Sequence, residues 1–445
     1  MAEQVKTAML NMTEGLLNDG EEGYIVIHLL DALSAPQRKK NAQPIDPRVD
    51  DLIDRALLAY PGTLVISQIA PLVRRRAAAT GDDARARHAS EVEVNAYLSD
   101  ADRAVDALVI RAHLNDAASV ARRLSVPELE SLAVSRLQSA PPVEWKTIET
   151  EFKIPNAYIR AYLRPYRRVD TWRKALGVWF ESDSPSGNLE NNKAAARSAL
   201  SGSVFARLAT TVVFGPGDLP RRVLSEDDDA LQHALVGEET WRINFHGIFL
   251  ADALDVIKER FEIPHYEDLE GSIATSGTHP ASAKALAKGL ILYWVGEFDA
   301  CTHLVVPKIE AAARALLLEL KEPLYRTQVG DGSGQFPGLG ALLPCLTDNG
   351  FDPDWERFLR TFLLGDGMSI RNLVAHGFMD TASREKAALA LRAYSLLVLI
   401  TSREHAERDA ALVKASLANP LGTPPRPWWR RVGSAVRAAR NELLR

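Results

Sequence analysis

Cysteine is nearly absent from this chain. Its 445 residues include only Cys301 and Cys345, too few for a disulfide framework or for a zinc site with four cysteine ligands. Both stand among apolar residues, with HLVV closely following Cys301 and ALLP preceding Cys345. We therefore expect two buried thiols in a reducing cytosol, and no metal ion or other cofactor.

Long apolar runs are also missing. No stretch approaches the roughly 18 consecutive apolar residues that a membrane-spanning helix needs. The first residues, MAEQVKTAMLNMTEG, include an acidic Glu3 and have no apolar segment of signal-peptide length. The sequence therefore predicts a cytoplasmic protein without a membrane span.

The chain has no excess of basic residues. Its formal net charge is −5, whereas dedicated nucleic-acid-binding proteins are usually basic overall or carry a strong basic patch. Any contact with RNA must therefore depend on local clusters of arginine.

The pattern that is present is helical. Hydrophobic residues make up 46% of the chain and charged residues 25%, which are values typical of a folded globular protein. Apolar residues recur three and four positions apart, and alternating strand patterns are scarce, so we predict an all-α fold. The best strand candidates, residues 24–30 and 210–214, are short and equally compatible with buried helix.

The length predicts several domains, because one domain usually takes about 150 residues. A proline-containing break at 139–142 ends an N-terminal helical domain, residues 1–138, of unknown role. We predict a middle helical domain at 143–270 and a bundle of four or five helices at 278–410. The basic tail at 418–445, rich in Trp, Pro and Arg, suits RNA, an acidic partner, a membrane surface or its own bundle equally well.

One short motif carries residues suited to phosphodiester chemistry. In RNLVAHG, Arg371 precedes His376 by five positions. Arginine presents a permanently charged planar fork to phosphate oxygens, and histidine exchanges a proton near neutral pH. Cleavage of RNA by its own 2′-hydroxyl needs a base, an acid and a cation for the phosphorane oxygens. Arg371 and His376 supply these roles without a metal ion.

The spacing alone is weak, since Arg260 and His265 in RFEIPHY have the same separation. The contexts differ, because Pro264 interrupts any helix before His265, whereas Gly377 predicts a helix cap directly after His376. Five helical positions at about 100° each would place Arg371 and His376 about 140° apart. A second chain is therefore expected to complete the site.

The wider stretch GMSIRNLVAHGFMD resembles the signature of the HEPN superfamily, whose ribonucleases carry an Arg and a His a few residues apart. Asn372 occupies the polar position that often follows the Arg. Within that superfamily the chain is similar to a family of unknown function marked by an RNxxxHG motif. The likeness covers about residues 285–400, and one departure is Ser369, where many relatives would have Asn.

The resemblance implies a helical bundle, a homodimer that brings two Arg/His motifs together, and metal-independent cleavage of RNA. It also implies roles in toxin–antitoxin systems or anti-phage defence, with a regulatory protein partner as a further expectation. The family pattern of a Pro-x-Ile-Glu element followed by Arg matches Glu310 and Arg314. We expect these two either to form an ordinary i,i+4 surface pair or to line the cleft of Arg371 and His376.

A second segment interleaves aromatic residues with arginines, a composition that stacks bases and contacts phosphates. Its predicted RNA-binding residues are Tyr158, Arg160, Tyr162, Arg164, Arg167 and Arg168. The alternative is a solvated basic helix face with aromatic residues in the core.

The sequence is therefore compatible with two functions. The first is a metal-independent endoribonuclease with Arg371, Asn372 and His376 as catalytic residues. The alternative is a non-catalytic helical module that binds RNA or protein, with a degenerate HEPN site whose polar residues lock the bundle. A toxin silenced by nucleotidyl transfer ranks lower, because Phe378 stands where such modification would require a tyrosine.

Overall fold

The computed structural model describes residues 2–20, 23–34, 46–60, 62–144, 153–201, 211–214, 220–224, 227–274, 278–327, 334–365, 367–402 and 410–421. These residues form 19 helices and one two-stranded hairpin, so the predicted all-α class is confirmed. The chain divides into two compact units. The first comprises residues 1–149 and 210–224, and the second comprises 150–209 and 225–445.

The first unit contains seven helices. They are α1 Ala2–Asp19, α2 Gly23–Ser34, α3 Pro47–Ala59, α4 Thr63–Thr80, α5 Asp83–Arg103, α6 Ala107–Arg123 and α7 Pro127–Gln138. Two apolar clusters form the core, and α5 contributes to both, with Ala96 in one and Leu98 in the other. The carboxylate of Asp82 caps this shared helix by accepting a hydrogen bond from the Arg85 backbone N–H at 3.0 Å.

The first unit also contains the hairpin, whose strands are β1 Thr211–Phe214 and β2 Pro220–Leu224. They pair antiparallel, with Thr211 opposite Leu224. Of the two strand candidates, residues 211–214 are therefore strand. Residues 24–30 lie instead in α2, where Val26, Ile27 and Leu30 form a buried stripe at helical spacing.

The second unit contains the other twelve helices. They are α8 Asn156–Arg168, α9 Trp172–Phe180, α10 Leu189–Ser201, α11 Asp227–Phe261, α12 Tyr266–Ala274, α13 Pro280–Trp294, α14 Phe298–Glu319, α15 Leu339–Asp348, α16 Pro353–Leu363, α17 Ile370–Ala375, α18 Arg384–Ser402 and α19 Ala410–Ala418. Helices α13 to α18 lie within residues 278–410, where the sequence predicted a helical bundle.

The predicted division between residues 270 and 278 is wrong, because one apolar core runs through the whole second unit. It includes Tyr162 of α8, Phe249 of α11, Leu290 of α13 and Leu397 of α18. A Cβ on Gly247 of α11 would meet Leu389 Cδ1 at 2.9 Å. The bundle helices thus pack directly on α11, and the middle segment has no core of its own.

Helix α14, which carries Glu310, lies at the centre of the bundle. A Cβ added to Gly289 of α13 would meet Val305 Cγ2 of α14 at 2.9 Å and Leu391 Cδ2 of α18 at 3.0 Å, so the three helices approach closely at a glycine. Pro307 lies inside α14, and the helix continues past it without a break to Glu319. The apolar face of α14 is held by its neighbours on both sides of the proline.

The cysteines differ in their surroundings. Cys301 is buried, and burial raises the pKa of its thiol to about 12. Cys345 is only partly buried, so the expectation of two buried thiols holds for Cys301 alone.

A buried arginine ties a loop of the second unit to α18. Arg392 is fully buried, and its guanidinium donates to the Ser182 hydroxyl at 2.9 Å and to the Ser182 carbonyl at 2.6 Å. The same guanidinium lies 4.5 Å from the centre of the Trp355 ring. Burial lowers the pKa of Arg392 to about 9, an effect opposed by the nearby carboxylate of Asp183.

In the described ranges, no helix is both long enough and apolar enough to cross a membrane. Residues 422–445, which include most of the basic tail, lie outside the described residues.

Candidate active site

The helix that carries the motif is only six residues long. α17 starts after Ser369, whose backbone is left-handed with a φ of 58°. The Ser369 carbonyl accepts hydrogen bonds from the backbone N–H groups of Asn372 at 2.9 Å and Leu373 at 3.0 Å. Asparagine enters this backbone region more readily than serine, which gives a physical reason for the asparagine expected at this position in relatives.

The loop before α17 is fixed against α16. The Met368 N–H donates to the Thr361 carbonyl at 2.7 Å, and a Cβ on Gly367 would collide with the same carbonyl oxygen. A residue with a side chain would force this loop away from α16. Gly367 therefore helps to set where α17 begins.

The end of α17 confirms the cap predicted at Gly377, whose φ is 70°. The Phe378 N–H donates to the Leu373 carbonyl at 2.9 Å, and the Gly377 N–H donates to the Val374 carbonyl at 3.4 Å. This is the hydrogen-bond pattern of a Schellman motif. His376 is the capping residue and so lies at the C-terminal end of the helix.

Arg371 is held by two acceptors and remains partly open to solvent. Its Nη2 donates to Glu310 Oε2 at 3.2 Å, and its Nη1 donates to Asn372 Oδ1 at 3.2 Å. The side chain of Arg371 is 33% exposed. The guanidinium is thus oriented by the protein, with part of its surface available to a ligand.

Glu310 is the hub of these contacts. Its Oε1 accepts from Arg314 Nη2 at 2.8 Å, and its Oε2 accepts from the Leu339 backbone N–H at 3.2 Å as well as from Arg371. The carboxylate side chain is 19% exposed. Glu310 and Arg314 do form an i,i+4 pair, and through Glu310 that pair is joined to Arg371.

Asn372 supports Arg371 from within the motif. While its Oδ1 accepts from Arg371, its Nδ2 donates to the Ser369 hydroxyl at 3.3 Å. The amide therefore links the left-handed residue before the helix to the guanidinium. These contacts give Asn372 a positioning role.

His376 lies apart from this network. Its side chain is exposed, and within the described residues the imidazole forms no hydrogen bond or ion pair. The ring of Phe378 lies 6.5 Å from it between centroids. The structure thus joins Arg371, Asn372, Glu310 and Arg314, and it leaves the imidazole free to meet another molecule.

The charges at the site are unequal. Arg371 and Arg314 bring two positive charges to the single carboxylate of Glu310. The excess of one positive charge suits a phosphodiester, which carries one negative charge.

Three exposed aromatic residues lie near the site, and the sequence pattern assigned none of them to it. Tyr325 is 55% exposed, Phe336 is 44% exposed and Phe378 is 61% exposed. The Arg314 guanidinium lies 5.5 Å from the centre of the Phe336 ring. Phe336 stands in the glycine-rich run of residues 330–340, which gives no indication of its contact with Tyr325.

The predicted RNA-binding residues lie on two different faces of α8. Arg160, Arg164, Arg167 and Arg168 are exposed at helical spacing along one face, and none of them forms an ion pair with another described residue. Tyr158 is 39% exposed. Tyr162 is 8% exposed and packs 4.9 Å from the ring of Phe249, so its predicted contact with RNA is wrong.

The second Arg/His pair has no comparable site. α11 ends at Phe261, and His265 lies between α11 and α12, as the proline at 264 predicted. The Arg260 guanidinium lies 5.1 Å from the centre of the neighbouring Phe261 ring. In this part of the chain, no described carboxylate holds Arg260 as Glu310 holds Arg371.

Comparison with protein-family models, with curated proteins and with solved structures finds no match for this chain. Function must therefore be argued from its own residues.

Proposed function

We propose that this chain is an endoribonuclease of the HEPN type, which cleaves RNA through its 2′-hydroxyl without a metal ion. One observation carries the proposal. A single six-residue helix presents an oriented, 33% exposed guanidinium near its start and an exposed imidazole at its end. These are the cation and the proton-transfer group that the reaction needs.

The reaction begins when the 2′ oxygen attacks the adjacent phosphorus and gives its proton to an unprotonated imidazole. The bond from phosphorus to the 5′ oxygen then breaks, and that oxygen takes a proton from an acid. The products are a 2′,3′-cyclic phosphate and a free 5′-hydroxyl. Arg371 donates hydrogen bonds to the phosphoryl oxygens, whose charge increases in the transition state.

This chemistry favours a homodimer. One base and one acid are required, whereas each motif offers one imidazole, His376. A second copy of the chain supplies the second imidazole, and the exposure of His376 leaves it accessible to a partner. The homodimer therefore belongs to the proposal, with the motif at or near the contact between copies.

The exposed arginines of α8 support binding of RNA. Their row lies in the same compact unit as Arg371, and it lacks the carboxylate partners that arginines of the first unit have. For example, Arg74, Arg75 and Arg76 each pair with an acidic residue. Unpaired guanidinium groups are free to contact phosphates.

The test is incubation of the purified protein with total RNA in EDTA. The wild type should release fragments with cyclic phosphate ends, and His376→Ala and Arg371→Ala should each reduce the rate at least 100-fold, as loss of an acid, base or oxyanion donor usually does. His303→Ala, which changes an exposed histidine of α14, is the matched control. Wild-type rates in both motif variants would refute the proposal.

The second candidate is a non-catalytic RNA- or protein-binding module. It is favoured by the bonds that Arg371 and Asn372 make inside the chain. It predicts that these residues serve stability alone, whereas the exposed His376 contributes little to stability. This module would be favoured if the wild type had no cleavage activity and the folded variants bound RNA as tightly as the wild type.

A role as a toxin or in anti-phage defence is the biological part of the proposal. Induced expression of the wild type should then stop growth and leave new RNA ends, and expression of His376→Ala should do neither. Equal growth arrest by both proteins would contradict this role.

A further inference from the structure

Tyr325 and Phe336 form an exposed aromatic pair that the catalytic proposal does not use. Their ring centroids lie 5.3 Å apart with an interplanar angle of 71°, and the side chains are 55% and 44% exposed. Exposed aromatic residues in contact with one another are a common mark of a binding surface.

The pair is held in place by the backbone on both sides. Arg326 and Gln335, the neighbours of the two rings in sequence, exchange two backbone hydrogen bonds of 3.0 Å. A Cβ on Gly334 would collide with the phenol of Tyr325, so the tyrosine ring lies directly against the chain at Gly334. The rings thus stand on a fixed bridge between two segments.

The aromatic pair is continuous with the candidate active site. Phe336 lies under the Arg314 guanidinium, at 5.5 Å. Arg314 binds one oxygen of Glu310, and Arg371 binds the other. Gly338, two residues after Phe336, lies beside Arg371, since a Cβ there would be 3.7 Å from Arg371 Nη2. Two rings and two guanidinium groups therefore lie next to each other over a short distance.

Rings beside cations suit a nucleic-acid strand, whose flat bases stack on aromatic side chains and whose phosphates bind guanidinium groups. We propose that Tyr325 and Phe336 stack on bases of single-stranded RNA next to the phosphate bound at Arg371. A duplex hides its base faces in its own stack, so only unpaired nucleotides can use such a surface. The proposal rests on the ribonuclease function for the position of the phosphate, but binding can be measured without cleavage.

The binding test uses the full chain and a labelled single-stranded RNA of twelve nucleotides in which every 2′-hydroxyl is methylated, so that it cannot be cleaved. Fluorescence anisotropy should show weaker binding by about 5- to 150-fold for Tyr325→Ala and for Phe336→Ala, the range expected for loss of one stacked base. Tyr325→Phe keeps the ring and should bind within about twofold of the wild type. The methylated duplex should bind more weakly and be insensitive to both alanine changes.

The matched control is Val295→Ala, because Val295 is an apolar residue of the same 55% exposure in the same unit. It should leave affinity unchanged. Wild-type affinity in both alanine variants, or equal losses with the duplex, would overturn the proposal. So would sedimentation showing that the alanine variants lose a dimer and that RNA affinity falls only with dimer content, since the rings would then contact a second chain.

Cleavage of unmethylated RNA separates this inference from the proposed function. If both hold, loss of either ring should raise KM and leave kcat nearly unchanged, because stacking is remote from the reacting atoms. Ring-dependent binding by a protein that never cleaves would refute the ribonuclease and retain the stacking surface. Cleavage with an unchanged KM in both alanine variants would refute the stacking surface and retain the ribonuclease.

Discussion

Glu310 binds two arginines with one carboxylate, and this arrangement has a direct energetic consequence. Neither Arg371 nor Arg314 has another described carboxylate partner. A phosphodiester that reaches Arg371 therefore meets a guanidinium that is already oriented, so less conformational entropy is lost on binding.

Glu310→Gln should weaken both the fold and the site. The amide cannot neutralise two arginines, and its own N–H groups would face them, so we expect a loss of about 1–3 kcal/mol in the free energy of unfolding. Urea denaturation measures this, and the rate of RNA cleavage should fall at the same time. Glu190→Gln is the control, since Glu190 pairs with Lys193 at the surface and its side chain is 73% exposed. If Glu310→Gln resembled that control in both assays, the structural role of Glu310 would be wrong.

His246 of α11 couples stability to pH. Its Nδ1–H donates to the Pro185 carbonyl at 2.7 Å, because a carbonyl can only accept. Burial, with a smaller effect of nearby Arg242, lowers the pKa of His246 to about 4. The unfolded chain then binds the proton first, near pH 6.5.

The free energy of unfolding should therefore decrease as pH falls from about 6.5 to about 4, by up to about 3 kcal/mol from this one group. At higher pH the imidazole is neutral in both states and the full contribution to stability is present. His246→Asn retains a neutral donor, and the difference in stability between wild type and variant should shrink across this window. Denaturation series at pH 8, 6 and 4.5 would show it, and a constant difference would contradict the assignment.

The sequence predicted Arg371, Asn372 and His376 because their chemistry is local to one motif. It also paired Glu310 with Arg314, since i,i+4 neighbours on a helix must meet. It could not choose between a surface pair and a pair at the cleft, because the contact between Glu310 and Arg371 depends on how α14 packs against α17. It missed Tyr325 and Phe336 because their pairing joins two segments across a loop.

At the scale of single helices, α8 has two faces of different chemistry. Tyr162 and Tyr166 are buried on one side, and four unpaired arginines lie on the other. An amphipathic helix normally carries charges of both signs on its exposed face, which stabilise one another. Arginines alone do not stabilise one another in this way. A face that carries only arginines is better suited to binding phosphates.

Replacing Arg160, Arg164, Arg167 and Arg168 with Gln should reduce RNA affinity and its dependence on salt. Each phosphate contact on a single strand contributes about 0.7 to the slope of log K against log salt, so four lost contacts should lower the slope by about 3. Titrations at several salt concentrations provide the measurement. An unchanged slope would show that α8 does not contact RNA.

The control for this experiment removes an equal number of charges elsewhere. Arg48, Arg75, Arg87 and Arg103 of the first unit have side chains 56–63% exposed, and each pairs with an acidic residue. Replacing them with Gln should leave the salt slope close to that of the wild type. An equal decrease would mean that net charge, and not the face of α8, governs binding.

Helices were easier to predict than the local choices within them. The cap of α17 followed from Gly377, whose backbone preference acts within one turn. Residues 24–30 were ambiguous because a short apolar run has no clear period, and packing in the first unit decides in favour of helix. Pro307 does not end α14 because buried residues on both sides of it hold the helix together.

At the scale of the whole molecule, the proposed dimer can be tested with mixed dimers of two different chains. Wild-type and His376→Ala chains with different tags should, when co-expressed and purified by both tags, give a mixed dimer that keeps one of the two imidazoles. Because the proposed site takes its base and its acid from the two chains, that species should be nearly as inactive as the dimer of His376→Ala alone. A wild-type dimer purified in the same way should stay fully active.

A mixed dimer with about half of the wild-type activity would show that each chain uses its own Arg371 and His376. The proposed second imidazole would then be wrong, even though the wild type cleaves RNA. This outcome is distinct from a failure of the ribonuclease itself, in which the wild-type control would also be inactive.

Domain organisation was the least predictable feature of the sequence. Breaks in helical pattern near residues 139 and 275 look alike, yet only the earlier one lies near a boundary between compact units. Whether two helical segments share a core depends on long-range contacts such as Gly247 with Leu389, which no local pattern encodes. The return of residues 210–224 to the first unit was equally invisible.

That return affects how the protein is made. The first unit does not have its full set of strands until residue 224 has been synthesised, long after α7. By then the residues of three helices of the second unit have also been synthesised. At about 5–20 residues per second the interval lasts several seconds. During this interval, helices α8–α10 lack the later helices that form most of their core. We expect a chaperone that shields the apolar faces of α8–α10 to raise the yield of folded protein.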